Sequence, residues 1–223
     1  MNRTDYFKVW SEIAKRFTQI GMVAPSSRFF ARDMIAPVLE KSGRRSILEV
    51  GPGTGPFTRQ ILKVMGPEDE LVICEINGEF LRHLKTSLEK NPYYCRHQER
   101  VRFFEGPVQD LRNAIGPDMR FDAIVTSLPF NNFTSDLVEE LLNIFRDLCK
   151  EDGSFTFCEY WGVRKISTVF SRSARRERLK AVDSVVKSWC RGEEHGGKVE
   201  KKLTVLNVPP ALAVQTKYGS RNF

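Results

Sequence analysis

A glycine-rich run constrains this chain more than any other feature: Leu48-Glu49-Val50-Gly51-Pro52-Gly53-Thr54-Gly55-Pro56-Phe57, set between an apolar strand-like stretch and a helical pattern. Glycine at alternate positions permits backbone angles closed to other residues and lets the main chain approach a ligand closely. Pro56 suits the first position of a helix, so the run predicts a strand, a tight loop and a helix in immediate succession.

The chain beyond this loop keeps the same rhythm. Short apolar runs at 46–50, 71–75, 101–105, 121–126 and 154–159 each stop at a polar or Gly/Pro position, as buried parallel strands do. Between them Phe57, Ile61, Leu62 and Met65 recur at helical spacing, then Phe80, Leu84 and Leu88 before Asn91-Pro92. Leu141, Leu142, Phe145, Leu148 and Cys149 mark a third helix capped near Ser135 and ending before Gly153. The segment 199–217 reads as two strands broken by Pro209-Pro210, with no crossover helix between them. The expectation is an α/β fold: a doubly wound, seven-stranded sheet closed by a terminal antiparallel hairpin, with ligands beyond the carboxyl ends of its strands.

Composition bounds the function. With 223 residues and 41% hydrophobic side chains the chain can bury a core as a single domain. Lys plus Arg number 35 against 28 acidic residues, a net charge of +7, which favours an anionic partner such as nucleic acid or an acidic membrane surface. Five Cys form no C-x-x-C pair and three His are scattered, Cys95 and His97 being the only close pair. No disulfide framework, zinc ribbon or other metal site is expected, and a reducing, cytoplasmic setting is. No apolar leader and no stretch of about 18 apolar residues is visible.

Two segments stand outside the alternation. In residues 4–20, Tyr6, Trp10, Ile13, Phe17 and Ile20 share one helical face. In residues 163–191, Arg164, Lys165, Arg172, Arg175, Arg176, Arg178 and Lys180 crowd together, interleaved with Ile166, Val169 and Phe170 and followed by Val182, Val185, Val186 and Trp189. The single domain therefore divides into an amphipathic helix and lid (1–24), a ligand-binding core (25–162), a basic amphipathic insertion (163–192) and a hairpin with a tail (193–223).

Glu75 ends the second strand 20 residues after Gly55, where a carboxylate can accept hydrogen bonds from ribose hydroxyls. The dinucleotide fingerprint would need Gly at position 56, where Pro stands, and this argues against a diphosphate cofactor. E-V-G-P-G-T-G resembles the first motif of the Rossmann-like S-adenosylmethionine-dependent methyltransferases. That resemblance implies that Glu49 and the loop Gly51, Pro52, Gly53, Thr54 and Gly55 hold the methionine part of the cofactor, and that Glu75 and Ile76 lie at the ribose. After the third strand the family often has Gly-Asp-Ala against the adenine. Here Gly106 is followed by Pro107 and Val108, which implies apolar contact in place of an acidic one.

Thr126-Ser127-Leu128-Pro129-Phe130 is similar to the [N/D/S]-x-P-[F/Y] motif of N-methyltransferases. It implies that Ser127, Pro129 and Phe130 border the target nitrogen, with Ser127 close to the cofactor as well. Such a site works by positioning and desolvation, since the amine must be uncharged to attack. Gly21-Met22-Val23-Ala24-Pro25-Ser26-Ser27-Arg28 and Asn207-Val208-Pro209-Pro210-Ala211 resemble segments of the bacterial phospholipid N-methyltransferases, which convert phosphatidylethanolamine to phosphatidylcholine. They imply a phosphatidylethanolamine acceptor, with Ser26 and Ser27 near the cofactor or the lipid headgroup. Another amino lipid, such as an ornithine lipid, is the alternative, and an rRNA adenine N6-dimethyltransferase a further one. The RNA reading is disfavoured because the chain lacks the extra carboxyl-terminal helical domain of those enzymes, and nucleic acid is not the expected partner. Glu159 and Tyr160, at the end of the fifth strand, are the candidates to orient or deprotonate the amine.

A soluble enzyme acting on a bilayer lipid needs both apolar insertion and attraction to anionic headgroups. Residues 4–20 and 163–180 are expected to supply them, placing the protein peripherally on the inner face of the cell membrane.

Overall fold

The computed structural model describes residues 27–160, 173–191, 197–207 and 210–218. The amphipathic segment 4–20, Ser26, the first part of the basic insertion and the side chain of Tyr160 lie outside them.

Seven strands form one sheet: β1 (Ser46–Val50), β2 (Glu70–Glu75), β3 (Val101–Glu105), β4 (Phe121–Thr126), β5 (Cys149–Tyr160), β6 (Lys198–Thr204) and β7 (Ala211–Lys217). Their order is β3-β2-β1-β4-β5-β7-β6. The first five are mutually parallel, and β7 enters antiparallel between β5 and β6. The doubly wound sheet with its closing hairpin is thus the one the sequence predicts. The order of strands reverses at β1, which lies between β2 and β4, so the crevice beyond the end of β1 is the place for a ligand.

Among the described residues the helices are α1 (Arg28–Met34), α2 (Ala36–Glu40), α3 (Pro56–Val64), α4 (Gly78–Leu88), α5 (Pro92–His97), α6 (Leu111–Ile115), α7 (Ser135–Leu148) and α8 (Ser173–Arg191). Alternation along β1 divides the core. Ile47 faces a cluster with Phe30, Met34, Phe57, Ile61 and Leu84, from α1, α3 and α4. Leu48 and Val50 face one with Leu141, Phe145, Phe155, Val186 and Trp189, from α7, β5 and α8.

Three local expectations are corrected. Thr134, one residue before Ser135, caps α7 by accepting from the Leu137 N–H. Asn91-Pro92 does not simply end a helix: the Asn91 side chain accepts from the N–H groups of Tyr93 and Tyr94 and starts α5, with Pro92 at its first turn. The fifth strand begins at Cys149, directly after α7, with a register shift between Phe121 and Ala123 where it meets β4.

The basic insertion differs most. Leu179, Val182, Val186 and Trp189 of α8 are buried in the core, and Trp189 Nε1 donates to Thr216 Oγ1 at 3.2 Å. The apolar face of this helix packs on α7 and the sheet, so only its cationic side remains available to a partner.

Candidate active site

At the carboxyl end of β1 the chain turns through Gly51, Gly53 and Gly55, with φ of +69°, +55° and +78°. Side chains would be strained at these angles. A Cβ on Gly51 would also meet Leu128 Cδ2 at 2.6 Å, whereas one on Gly53 would meet nothing within 4 Å and would project into open space. The first glycine therefore serves packing and the second leaves room for a ligand.

Glu75, buried at the end of β2, reaches across to this loop. Its Oε2 accepts from the Gly53 N–H at 3.4 Å and its Oε1 from the Asn77 N–H at 2.9 Å. Burial raises the pKa of its carboxyl, opposed by the N–H dipoles of Asn77, Gly53 and Ile76. Beside it opens a cleft lined by Gly51, Cys74, Glu75, Ile76, Gly106, Pro107, Val108 and Gln109, and floored by Leu128 and Leu141.

Glu49 does not line this cleft. Its carboxyl lies behind the glycine loop, 1% exposed, and neither oxygen has a hydrogen-bond partner; the Thr58 hydroxyl, at the start of α3, is also unpartnered. Burial pushes Glu49 up to about 7, opposed by the Thr58 hydroxyl and N–H, which lie near the carboxyl without reaching hydrogen-bond geometry, and by the charge of Arg59, with the negative charge of Glu75 adding to the rise. A buried acid without donors is costly when ionised, and a cation seated on the loop would relieve it.

The loop after β4 is tied to the cofactor loop. Ser127 Oγ donates to the Gly51 carbonyl, and the Ser127 N–H to the Val50 carbonyl at 3.3 Å. Thr126 Oγ1 donates to the same Val50 carbonyl and accepts from the Leu128 N–H. With its proton committed to Gly51, the Ser127 hydroxyl keeps lone pairs for a donor such as an amine N–H. Pro129 is partly exposed, but the Phe130 ring is 3% exposed and packs against Phe157 at 5.3 Å and Phe133 at 6.5 Å. It stiffens the loop from beneath.

Ser27 lies elsewhere. Its hydroxyl caps α1 by accepting from the Phe30 N–H, and its own N–H donates to Asn207 Oδ1 at 2.9 Å, 180 residues away. Residues that the sequence did not single out complete the cleft. Gln109 Nε2 donates to Glu140 Oε1 at 3.3 Å, which holds the amide of Gln109 in a partly buried position at the wall opposite Glu75. Cys74 and Leu141 read in sequence only as core, because strand and helix periodicity does not say which core positions end at an opening, and Leu128 reads only as the unspecified position of its motif.

These residues fit a cationic nucleoside cofactor: open space over Gly53, a carboxylate for ribose hydroxyls, apolar walls at Ile76, Pro107 and Val108, and an unmet acid behind the loop. Residues 47–153 match the family described as "Methyltransferase domain". The chain carries a methyltransferase domain.

The methyltransferase is 26% identical over 176 residues to an ornithine lipid N-methyltransferase of Singulisphaera acidiphila, covering 77% of this chain and 84% of that one. It is 28% identical over 113 residues to a ubiquinone/menaquinone biosynthesis C-methyltransferase of Stutzerimonas stutzeri, covering 48% of this chain and 41% of the relative. In structure it resembles an O-methyltransferase of Streptomyces achromogenes crystallised with S-adenosylmethionine, at a TM-score of 0.66 and 15% identity over 95% of this chain and 90% of that one. Among the described residues no helix is long and apolar enough to cross a membrane.

Proposed function

We propose that this methyltransferase transfers methyl groups to the headgroup amine of an amino lipid, with an ornithine lipid a better-supported acceptor than phosphatidylethanolamine. The observation that carries the reading is the bond between Ser27 and Asn207. Each residue belongs to one of the two segments that resemble lipid N-methyltransferases, and the fold joins these two residues at one end of the sheet. That end is the one at which the parallel strands finish, although β6 lies four strands from β1: Thr204 pairs with Ala211, and Ala211 with Tyr160 at the carboxyl end of β5. The ornithine lipid enzyme, matched over most of both chains, favours that acceptor.

The chemistry follows from the site. Bound S-adenosylmethionine supplies an electrophilic methyl group. Gly51 to Gly55 and Glu75 would seat it, Pro107, Val108 and Gln109 would flank its base, and Glu49 would balance its positive charge. Ser127 accepts a hydrogen bond from the target N–H and so aims the nitrogen lone pair at the methyl carbon, while the Leu128 and Phe130 packing excludes water. Glu159 and Tyr160, at the end of β5, stand on the side from which the amine approaches. The catalytic gain is mainly that of positioning and desolvation.

The test is methyl transfer from radiolabelled S-adenosylmethionine to vesicles carrying either ornithine lipid or phosphatidylethanolamine, with ribosomal RNA in a parallel tube. Label in the ornithine lipid extract supports the reading. Label in phosphatidylethanolamine alone shifts the acceptor within the class, and label only in RNA refutes it.

A further inference from the structure

The end of the sheet at which the parallel strands finish also carries an exposed apolar point, at its outer strands. Beyond β6 the chain turns through Val205 and Leu206, which are 66% and 64% exposed, and Phe29 in the first turn of α1 is 47% exposed. Phe29 and Asp33 lie one turn apart on the same face of α1. Asp33 accepts from Thr204 Oγ1 and holds Lys202 at 2.6 Å, while Ser27 meets Asn207. The start of α1 and the hairpin turn are thereby fixed side by side.

The surroundings are cationic. Arg28, Arg32, Lys201 and Lys202 are exposed beside this point, with Arg28 stacked 5.1 Å from the Phe29 ring centroid. The nearby acids are engaged, Asp33 by Lys202 and Glu200 by Lys198 and Lys217. Two adjacent aliphatic side chains on a convex turn match no concave pocket, but they match a soft apolar phase beneath a negatively charged surface.

We infer that the β6–β7 turn and the first turn of α1 form a docking wedge that enters the headgroup layer of an anionic bilayer, Val205, Leu206 and Phe29 inserting while Arg28, Arg32 and Lys201 pair with lipid phosphates. This deepens the amino-lipid reading and rests on it, since it places the cleft at the surface that holds the acceptor. It also differs from the sequence expectation, which gave apolar insertion to residues 4–20 and attraction to anionic lipid to residues 163–180.

The experiment uses the full chain, sedimentation with vesicles of phosphatidylglycerol and phosphatidylcholine, and S-adenosylhomocysteine binding as the measure of folding. The variant carrying Val205→Asp and Leu206→Asp is expected to lose about tenfold or more in partitioning, in line with the apolar area withdrawn, and to bind S-adenosylhomocysteine as the parent does. Leu206→Trp is expected to shift its emission to the blue, beyond any change in the parent with its own three tryptophans, when these vesicles, but not phosphatidylcholine alone, are added. Unchanged sedimentation of the aspartate variant, or an emission unmoved by anionic vesicles, overturns the wedge. Should the aspartate variant fail to bind S-adenosylhomocysteine, the tryptophan variant decides. A parent chain that sediments and inserts but methylates no amino lipid would refute the amino-lipid reading and leave the wedge standing. An aspartate variant that methylates vesicle lipid at the parent rate would do the reverse.

Discussion

Glu49 is an acid kept where ionisation is expensive. Its carboxyl titrates near 7 in the folded protein against an ordinary value of 4.5, because burial outweighs the pull of Thr58. The folded chain thus holds a proton that the unfolded chain has released, and stability falls as pH rises from about 4.5 to 7. A shift of that size corresponds to roughly 3 kcal/mol. Chemical denaturation of the cofactor-free protein across this range is expected to show the decline, and Glu49→Gln to remove most of it. The same variant should bind S-adenosylmethionine about tenfold or more weakly at pH 8 in calorimetry, because a neutral amide cannot balance the cofactor's charge. Gly51 gives a second prediction at this scale. Gly51→Ala strains a φ of +69° and drives a methyl group into Leu128, so cofactor binding and methyl transfer should both be largely lost while the sheet remains intact by circular dichroism.

Among the elements, α8 separates two roles that its sequence mixes. Trp189 is fully enclosed and hydrogen-bonded to Thr216, so Trp189→Ala should cost about 3–5 kcal/mol and lower the melting temperature markedly. Replacing Arg175, Arg176 and Lys180 together by Gln should change stability by no more than about 0.5 kcal/mol per residue while weakening sedimentation with anionic vesicles, which assigns the exposed cations to the partner and the apolar face to the core. The sequence leaves that division open because Val182, Val186 and Trp189 have the spacing of a core stripe and of a membrane-facing stripe alike. The strands are easier to read. Each of β1 to β4 is a short apolar run closed by Gly, Pro or a polar residue, and β2 extends the expected run by only one residue, Glu70. The start of β5 at Cys149 is hidden because Cys149 also continues the helical pattern of α7. Within the site, Glu75 and the glycine loop are legible from spacing, since the βα connection fixes where they fall. Gln109 is not, because its place in the cleft depends on Glu140 of a helix 31 residues on.

At the scale of the whole molecule, bonds between parts remote in sequence lie at both ends of the closing hairpin: Glu40 meets Gln215 and Lys217 at one end, and α1 meets the turn at the other. Ser27 with Asn207, and Asp33 with Thr204 and Lys202, join the first described residues to the closing hairpin. Asn207→Ala leaves the Ser27 N–H without this acceptor and should lower stability by about 1–3 kcal/mol. Hydrogen exchange should quicken in α1 and in the turn after β6, with β1 and β4 unaffected. Methyl transfer should fall further than cofactor affinity does, since the tie lies outside the cofactor cleft.

On the proposed docking, the cleft and the exposed turn lie at the same end of the sheet, and this would also set the kinetics. A chain docked through that end meets its acceptor by diffusion in two dimensions, and a partly methylated product is released into the same plane from which it came. Turnover should therefore follow the mole fraction of amino lipid in the surface rather than its bulk concentration, and diluting the surface with inert lipid should slow the reaction while diluting the vesicles should not. Intermediates would then accumulate on the vesicles that hold the enzyme, and each vesicle would be consumed nearly to completion before its neighbours are touched.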